Sequence, residues 1–512
     1  MPSASHPQRV LPDPSQAEQR KARGSGRPVV IGTILISLFV AADLVIAEER
    51  TQRFDTDPGW ESRNNRALQP APRPVRQDFG YRRTNHAGGS PGEIGGFFMP
   101  SAEAAYYARR MPALDFRQPL RVSGKLACTG RQFHLLVGFF NSRTVNEWRT
   151  PNSIFLRLYG RGDVFYAYVE YATSRWRAGG DSPGGFQVVT DPDTGREQLR
   201  GFATQGKVHN WSLEYDPDGN RGKGSIAVRI DEELSICHLD DGHKSDGASF
   251  DRCGLLSIPK SCDDGGEVWF DDLEINGEKE SFDDDPAWDA VGNRREYLSN
   301  GVRPRFDFGY STTNFAGGAA RGELGGVVFR GDCRDGTKMA SYADRLHPLN
   351  LDQPLRMAGR LSLRRGVSDS TTLLGFFHSQ DSWKVSTEQG SGFPRNFLGI
   401  VVEGPSSEGF FCYPAYRLAA EASGLAGGRD LPRILPDGAA HAWELTYDPA
   451  AIDGRGLIEL RCEEKQVRLP LGTGHRQAGG RFDRFGIVTT WIDGNAQEIY
   501  FDDLRYTVRQ TP

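Results

Sequence analysis

Carboxylate, imidazole and aromatic side chains stand in this chain at spacings that could do chemistry, and each arrangement occurs twice. Asp55 and Asp57 lie in Phe54-Asp55-Thr56-Asp57-Pro58-Gly59-Trp60, and Asp283 and Asp285 in Phe282-Asp283-Asp284-Asp285-Pro286-Ala287-Trp288. Asp271 and Asp272 follow Trp269-Phe270, and Asp502 and Asp503 follow Tyr500-Phe501. Hard calcium prefers several oxygens from such a cluster. First and last strands pair in many antiparallel sandwiches. The expectation is therefore one structural calcium per copy, held by Asp55, Asp57 and Asp272 in the first and by Asp283, Asp285 and Asp503 in the second. The alternative is turn hydrogen bonding, with one Asp of each pair in solvent. No organic cofactor is expected.

Glu93 and Glu323 sit in matching frames, Gly92-Glu93-Ile94-Gly95-Gly96 and Gly322-Glu323-Leu324-Gly325-Gly326. Glycine permits close backbone approach, so a carboxylate there could meet sugar hydroxyls, act as acid or base, or close its own turn. His209 and His441 each lie two residues before a Trp, sharing its strand face. A neutral His could serve as general base, assisted by Tyr107/Tyr342 or Arg110/Arg345; the alternative is a half-buried His bonded to a loop. Candidate ligand contacts are Trp148 and Trp383, in the loops after Gly-Phe-Phe, and Tyr166 and Tyr168, which share a face with Glu170 and have Phe411 and Tyr413 as the expected counterparts. Asn85, Asn314, Arg66 and Arg294 complete the set. Arg forks onto carboxylates or sulfates, and an inter-strand tie to an Asp would use Arg66 and Arg294 equally well.

The elements that hold these residues belong to one long repeat. The copies are offset by 228 residues at the opening and 231 at the close. This is a duplicated domain, not a short solenoid unit. The copies run over residues 53–277 and 281–508. In Val164–Tyr171, Phe165, Ala167, Val169 and Tyr171 fall on one face, the period of two that marks a strand. Asp216-Pro217-Asp218-Gly219 and Asp448-Pro449 read as turns. The one helix expected after the leader covers residues 102–110. With 61 Gly, 30 Pro and 11% aromatics, the chain reads as all-β, two tandem antiparallel sandwiches of about 220 residues each. A net charge of −5 gives no basic face for nucleic acid.

Residues 1–47 read as a leader. Arg20, Lys21, Arg23 and Arg27 precede a short apolar run, with small residues before Glu48. That pattern describes a secretory signal cleaved after Ala47, and the run is short for a membrane span. The expected location is secreted, periplasmic or in the cell envelope, with a membrane partner only if the segment stays uncleaved. Of seven cysteines, none matches a cysteine in the other copy. In an exported protein, local bridges fall most readily among Cys237, Cys253 and Cys262.

Four features carry a family resemblance: the opening Phe-Asp-x-Asp-Pro-x-Trp, the His-x-Trp strand before Tyr-Asp-Pro, the Gly-rich hairpin after it, and the closing aromatic-Phe-Asp-Asp-Leu strand. On these, each copy resembles the concanavalin A-like lectin/glucanase superfamily, the jelly-roll sandwich that includes laminin-G-like domains. The paired Trp-x4-Asn-Arg is also similar to sequences of secreted proteins of environmental bacteria. The resemblance implies two jelly rolls with sugars along a concave sheet, and a structural calcium between acidic positions. The laminarinase-type Glu-x-Asp-x-x-Glu and the alginate-lyase-type motifs are missing, so the known enzymatic branches are not supported. The expected function is glycan binding to extracellular polysaccharide or glycoconjugate, where two sites on one chain raise avidity. The alternatives are a polysaccharide lyase or glycoside hydrolase using Glu93/His209 or Glu323/His441, and a structural envelope or matrix protein that binds other proteins.

Overall fold

The computed structural model describes residues 47–509 except 68, 147–148, 181–187, 191–196, 200, 304, 332–334, 368, 385–391, 407–408, 420–421, 429 and 491–493. The leader with its expected signal, Trp148 and Cys333 lie outside the described residues. The protein is all-β, and every strand pairing within its sheets is antiparallel.

The first sandwich has a front sheet in the order Glu233–His238, Ser225–Ile230, Val208–Asp216, Leu120–Cys128, Gly266–Ile275, Glu93–Phe98, Arg73–Arg82, Arg294–Ser299. Its back sheet runs Ala178–Gly180, Val164–Ala172, Ser153–Arg161, Gln132–Phe140, Phe250–Ser257, Ala105–Leu114, Asp289–Val291. The second sandwich repeats this plan. Its front sheet runs from Asp307–Ser311 through Glu323–Phe329, Ala496–Arg509, Leu355–Gly366, Ala440–Asp448 and Leu457–Cys462 to Lys465–Pro470. Its back sheet runs from Glu61–Arg63 through Ser341–Asn350, Arg481–Val488, Ser370–Phe377, Phe397–Ser406 and Gly409–Arg417 to Ser423–Leu425. Each core lies between the two sheets. Phe165, Val169, Trp211 and Phe270 meet in the first, and Phe376, Ile400, Trp443 and Phe501 in the second.

Repeat and sandwich do not coincide. Phe54 and Trp60, from the first copy, are buried in the core of the second sandwich, and Phe282 and Trp288 in the core of the first. The turn at Asn276-Gly277 explains the exchange. Both residues have positive φ, 49° and 88°, the conformation of a two-residue type I′ hairpin. The chain therefore folds straight back, and Glu278–Glu280 pairs with the strand it has just left. The next two strands stay on the first sandwich: Asp289–Val291 joins the back sheet and Arg294–Ser299 the front. Residues 47–66 fill the equivalent place on the second, where Ala47–Gln52 lies along Ala496–Arg509 and Glu61–Arg63 along Ser341–Asn350. The first sandwich thus spans residues 73–299, and the second residues 47–66 with 305–509, instead of 53–277 and 281–508.

Two further expectations are corrected. Residues 102–110 do not form a helix; Ala105–Leu114 is a strand. Its Tyr107 packs into the core while Tyr106 packs on the outer side of the back sheet, so both faces are buried and the polar-apolar alternation is masked. Cys237, Cys253 and Cys262 are buried free thiols, as are Cys128, Cys412 and Cys462.

Candidate functional site

The copies can be compared position by position, because equivalent strands keep the same register. On the outer side of the first back sheet, three rows cross the strands Gln132–Phe140, Ser153–Arg161 and Val164–Ala172. They are His134–Tyr159–Tyr166, Leu136–Arg157–Tyr168 and Gly138–Phe155–Glu170. The matching rows of the second sandwich are Thr371–Glu403–Phe411, Leu373–Val401–Tyr413 and Gly375–Gly399–Ala415. Phe411 and Tyr413 thus do occupy the places of Tyr166 and Tyr168.

The chemistry of the two faces differs sharply. In the first sandwich the Glu170 side chain is 2% exposed and pairs with Arg157 at 2.7 Å and Arg149 at 3.6 Å. The Arg157 guanidinium also lies 4.1 Å above the Tyr168 ring, within cation–π range, and one of its nitrogens is 3.3 Å from His134 Nε2. Burial, with Lys260 and Arg157 nearby, holds His134 well below its ordinary pKa. The ring is neutral through the physiological range. Tyr159, Tyr166 and Tyr168 are half-buried, offering ring faces and edges around the ionic group. In the second sandwich, Val401 and Ala415 replace Arg157 and Glu170. Phe393, Phe397, Leu431 and Trp383 pack over them with Phe411 and Tyr413. A buried ion pair usually contributes no more stability than well-packed apolar residues of similar volume. The second sandwich keeps an ion pair on this face, Glu403 with Arg330 at 2.9 Å, but has Val401 and Ala415 where Arg157 and Glu170 stand, so the fold does not require charge at those two positions. His134, Arg149, Arg157 and Tyr159 were not among the sequence candidates. An available signal was Arg157, standing alone inside Ile154-Phe155-Leu156-Arg157-Leu158.

The catalytic candidates are not brought together. Glu93 is fully buried and accepts from the backbone amides of His86 and Ala87 at 2.8–2.9 Å; Glu323 does the same for Phe315 and Ala316 at 2.8 Å. Each closes its own turn. His209 is fully buried, with Nδ1 2.8 Å from Asp231 and Nε2 2.8 Å from the Ala203 carbonyl. Glu93 and His209 are three strands apart in the front sheet, about 14 Å at ~4.8 Å per strand. His441 lies against Glu463 at 3.2 Å. Tyr107 and Tyr342 donate their hydroxyls to Asp285 and Asp57, and Arg110 and Arg345 pair with Asp289 and Glu61.

The remaining candidates hold the exchanged segments. Asn65 donates to the Phe308 carbonyl at 2.6 Å, and Asn293 to that of Phe79 at 2.5 Å. Arg66 and Arg294 reach the Tyr310 and Tyr81 carbonyls at 2.7 Å, and Arg66 also pairs with Asp307. The Trp-x4-Asn-Arg motif is therefore a clip between the repeats. Trp383 is no open platform: Arg63 covers its ring at 4.4 Å, and its indole N–H donates to Ser379. Asn85 and Asn314 are exposed.

The structure does not bring the two expected sets of acids together. The exchange separates Asp55 and Asp57 from Asp272 and places Asp55 beside Asp502. Asp57 and Asp285 accept from the amides of Gly59 and Ala287, Asp283 accepts from Ser281, and Asp272 pairs with Lys125 at 2.6 Å. Among the described residues no three His, Cys, Asp or Glu side chains converge as a metal would require. Instead, burial and the neighbouring Asp272 and Glu93 push the Asp271 carboxyl up to about 6. Burial with Asp503, Glu323 and Asp55 pushes Asp502 up to about 7.

No family model and no curated protein matches the chain. Among solved structures it is similar to domains LG4-5 of the mouse laminin alpha1 chain, at 12% identity and TM-score 0.21, covering 83% of this chain and 94% of that one. It is also similar to the Emp47p carbohydrate recognition domain, at 13% identity and TM-score 0.23, covering 40% and 89%. A third similar structure is the alginate lyase Aly36B in complex with alginate trisaccharide, at 10% identity and TM-score 0.25, covering 37% and 82%. At these values the sandwich assignment rests on the strand pairing itself.

Proposed function

We propose that this protein is an exported glycan-binding protein, and that its principal site is the outer face of the first back sheet. The observation that carries this reading is the ionic and tyrosine-rich group of Arg157, Glu170, Arg149, Tyr159, Tyr166 and Tyr168, where the second sandwich has Val401 and Ala415 in place of Arg157 and Glu170. Two guanidinium groups meet one carboxylate there, and Arg is suited to forked bonds with the carboxylates of an acidic sugar. The half-buried Tyr166 ring supplies stacking surface for a sugar ring. An acidic polysaccharide outside the cell is the partner this chemistry fits best.

Isothermal titration of the protein with polygalacturonate and with neutral dextran tests the reading. Binding to the acidic polymer that falls at least tenfold in Y166A/Y168A supports it; equal binding by wild type and variant refutes it. A second reading, elimination chemistry, is favoured by one feature, the neutral His134 beside Arg157 and Tyr159. A neutral imidazole can take a proton. Unsaturated products that vanish in His134→Ala would establish a lyase instead of a binding protein.

A further inference from the structure

The front sheet of the second sandwich carries a separate feature. An open groove of about 700 Å³ lies on its outer side. Its floor is Ala358, Gly359 and Ala442, so no long side chain fills it. Arg53, Arg360, Arg461 and Arg505 line it. The strand register fixes their arrangement. One row across the sheet reads Thr51–Arg505–Ala358–Glu444–Arg461. Arg360 stands two residues further along its strand, opposite Ala442. Arg505 and Arg461 are therefore three strand spacings apart, about 14 Å, with Arg360 between them.

Within the described residues, Arg53, Arg461 and Arg505 have no ion pair. Arg360 donates only from Nε, to the Ala316 carbonyl at 3.0 Å. The acids of the groove are partly committed: Glu444 to Arg356 at 2.6 Å, and Glu463 to His441 and the Ala442 amide at 3.2 Å. Asp503 remains, giving a net positive groove. The first sandwich lacks this array. Ser281 stands in place of Arg53 and Glu274 in place of Arg505, and Lys125, in place of Arg360, is bound to Asp272 at 2.6 Å. Only Arg229 matches, at the position of Arg461. A fold that does not need four clustered guanidinium groups has kept them on one copy, around an open floor.

We infer that this groove is a second binding site, for an extended polyanionic polysaccharide bearing carboxylates or sulfates. Guanidinium forks bind both groups in bidentate fashion. The spread of the cations suits a chain with repeated charges better than one small anion. Nucleic acid, whose affinity depends on neutralising many phosphates, is the competing polyanion that the test separates. This inference does not depend on the tyrosine face proposed above, which lies on the other sandwich.

The test is binding of the whole protein to immobilised dextran sulfate, polygalacturonate, neutral dextran and duplex DNA, for wild type, R461E/R505E and Y166A/Y168A. Arg461 and Arg505 are exposed, and unchanged melting would confirm that the variant folds. The expected result is dextran sulfate or polygalacturonate affinity that falls at least tenfold in R461E/R505E and falls with added salt, and binding left in Y166A/Y168A that falls further when R461E/R505E is added. Which polymer responds identifies sulfate or carboxylate as the recognised group. Equal binding by wild type and R461E/R505E overturns the site, as does equal binding to neutral dextran. DNA bound as tightly as either acidic polymer overturns the polysaccharide assignment. Loss only in Y166A/Y168A places all binding on the first sandwich and removes this groove.

Discussion

Replacing Asp502 by Asn should stabilise the protein at pH 8 and not at pH 4. Asp502 is fully buried. Its Oδ1 accepts from the Asp503 amide at 2.7 Å, while Oδ2 has no hydrogen-bond partner and lies where a Cβ on Gly318 would stand 1.8 Å away. Burial, with Asp503, Glu323 and Asp55 close by, disfavours ionising this carboxyl, which is why its pKa rises from 3.8 to about 7. The folded protein then holds a proton that the unfolded chain releases near pH 4. Stability from this group is complete below that pH and is lost as pH rises towards 7. The loss corresponds to about 4 kcal/mol. Asn keeps the Oδ1 acceptor and cannot ionise, so the variant escapes the loss. The assay is denaturant unfolding of wild type and D502N at pH 4 and pH 8. The difference between them should move in favour of Asn by about 4 kcal/mol over that range, or about 8–16 °C in Tm for a sandwich of this size. Asp271→Asn should show the same sign with about 3 kcal/mol, since that carboxyl rises only to about 6. An equal difference at both pH values, or a larger destabilisation by Asn at pH 8, would refute the account.

Three other outcomes are expected. Asn65→Ala and Asn293→Ala each remove a bond to a buried carbonyl and should each cost about 1–3 kcal/mol in denaturant unfolding, with similar values because the two clips are equivalent. A fragment of residues 281–512 lacks the strands and the Phe54 and Trp60 side chains of its sandwich; it should aggregate or stay unfolded by circular dichroism, and a fragment of residues 47–72 added in trans should rescue it. Calcium and chelator should change Tm by less than about 1 °C, because among the described residues no three His, Cys, Asp or Glu side chains converge as a metal would require; a rise of several degrees with millimolar calcium, as ligand linkage would give, would refute this.

Much of the fold was legible in the chain. A period of two, frequent Gly and Pro, and matched segments at a constant offset determined an all-β duplicated protein, because strand periodicity and turn chemistry are local properties. The pairing of Phe411 and Tyr413 with Tyr166 and Tyr168 followed from the same alternation. The strand at Ala105–Leu114 was misread as a helix because burial on both faces erases the alternation on which such a reading depends.

The site was legible only in part. Glu93 and His209 look like an acid and a base in the sequence, and only their separation across the front sheet shows that each serves its own loop. Arg66 and Arg294 look like ligand contacts until the Asn276-Gly277 hairpin is seen to send residues 278–299 back onto the first sandwich, leaving residues 47–66 to complete the second. The ionic face at Arg157 and Glu170 and the arginine groove at Arg461 and Arg505 draw residues from strands far apart in sequence. Register across the sheets, set by burial of one face of every strand, brings them together, and no local pattern records it.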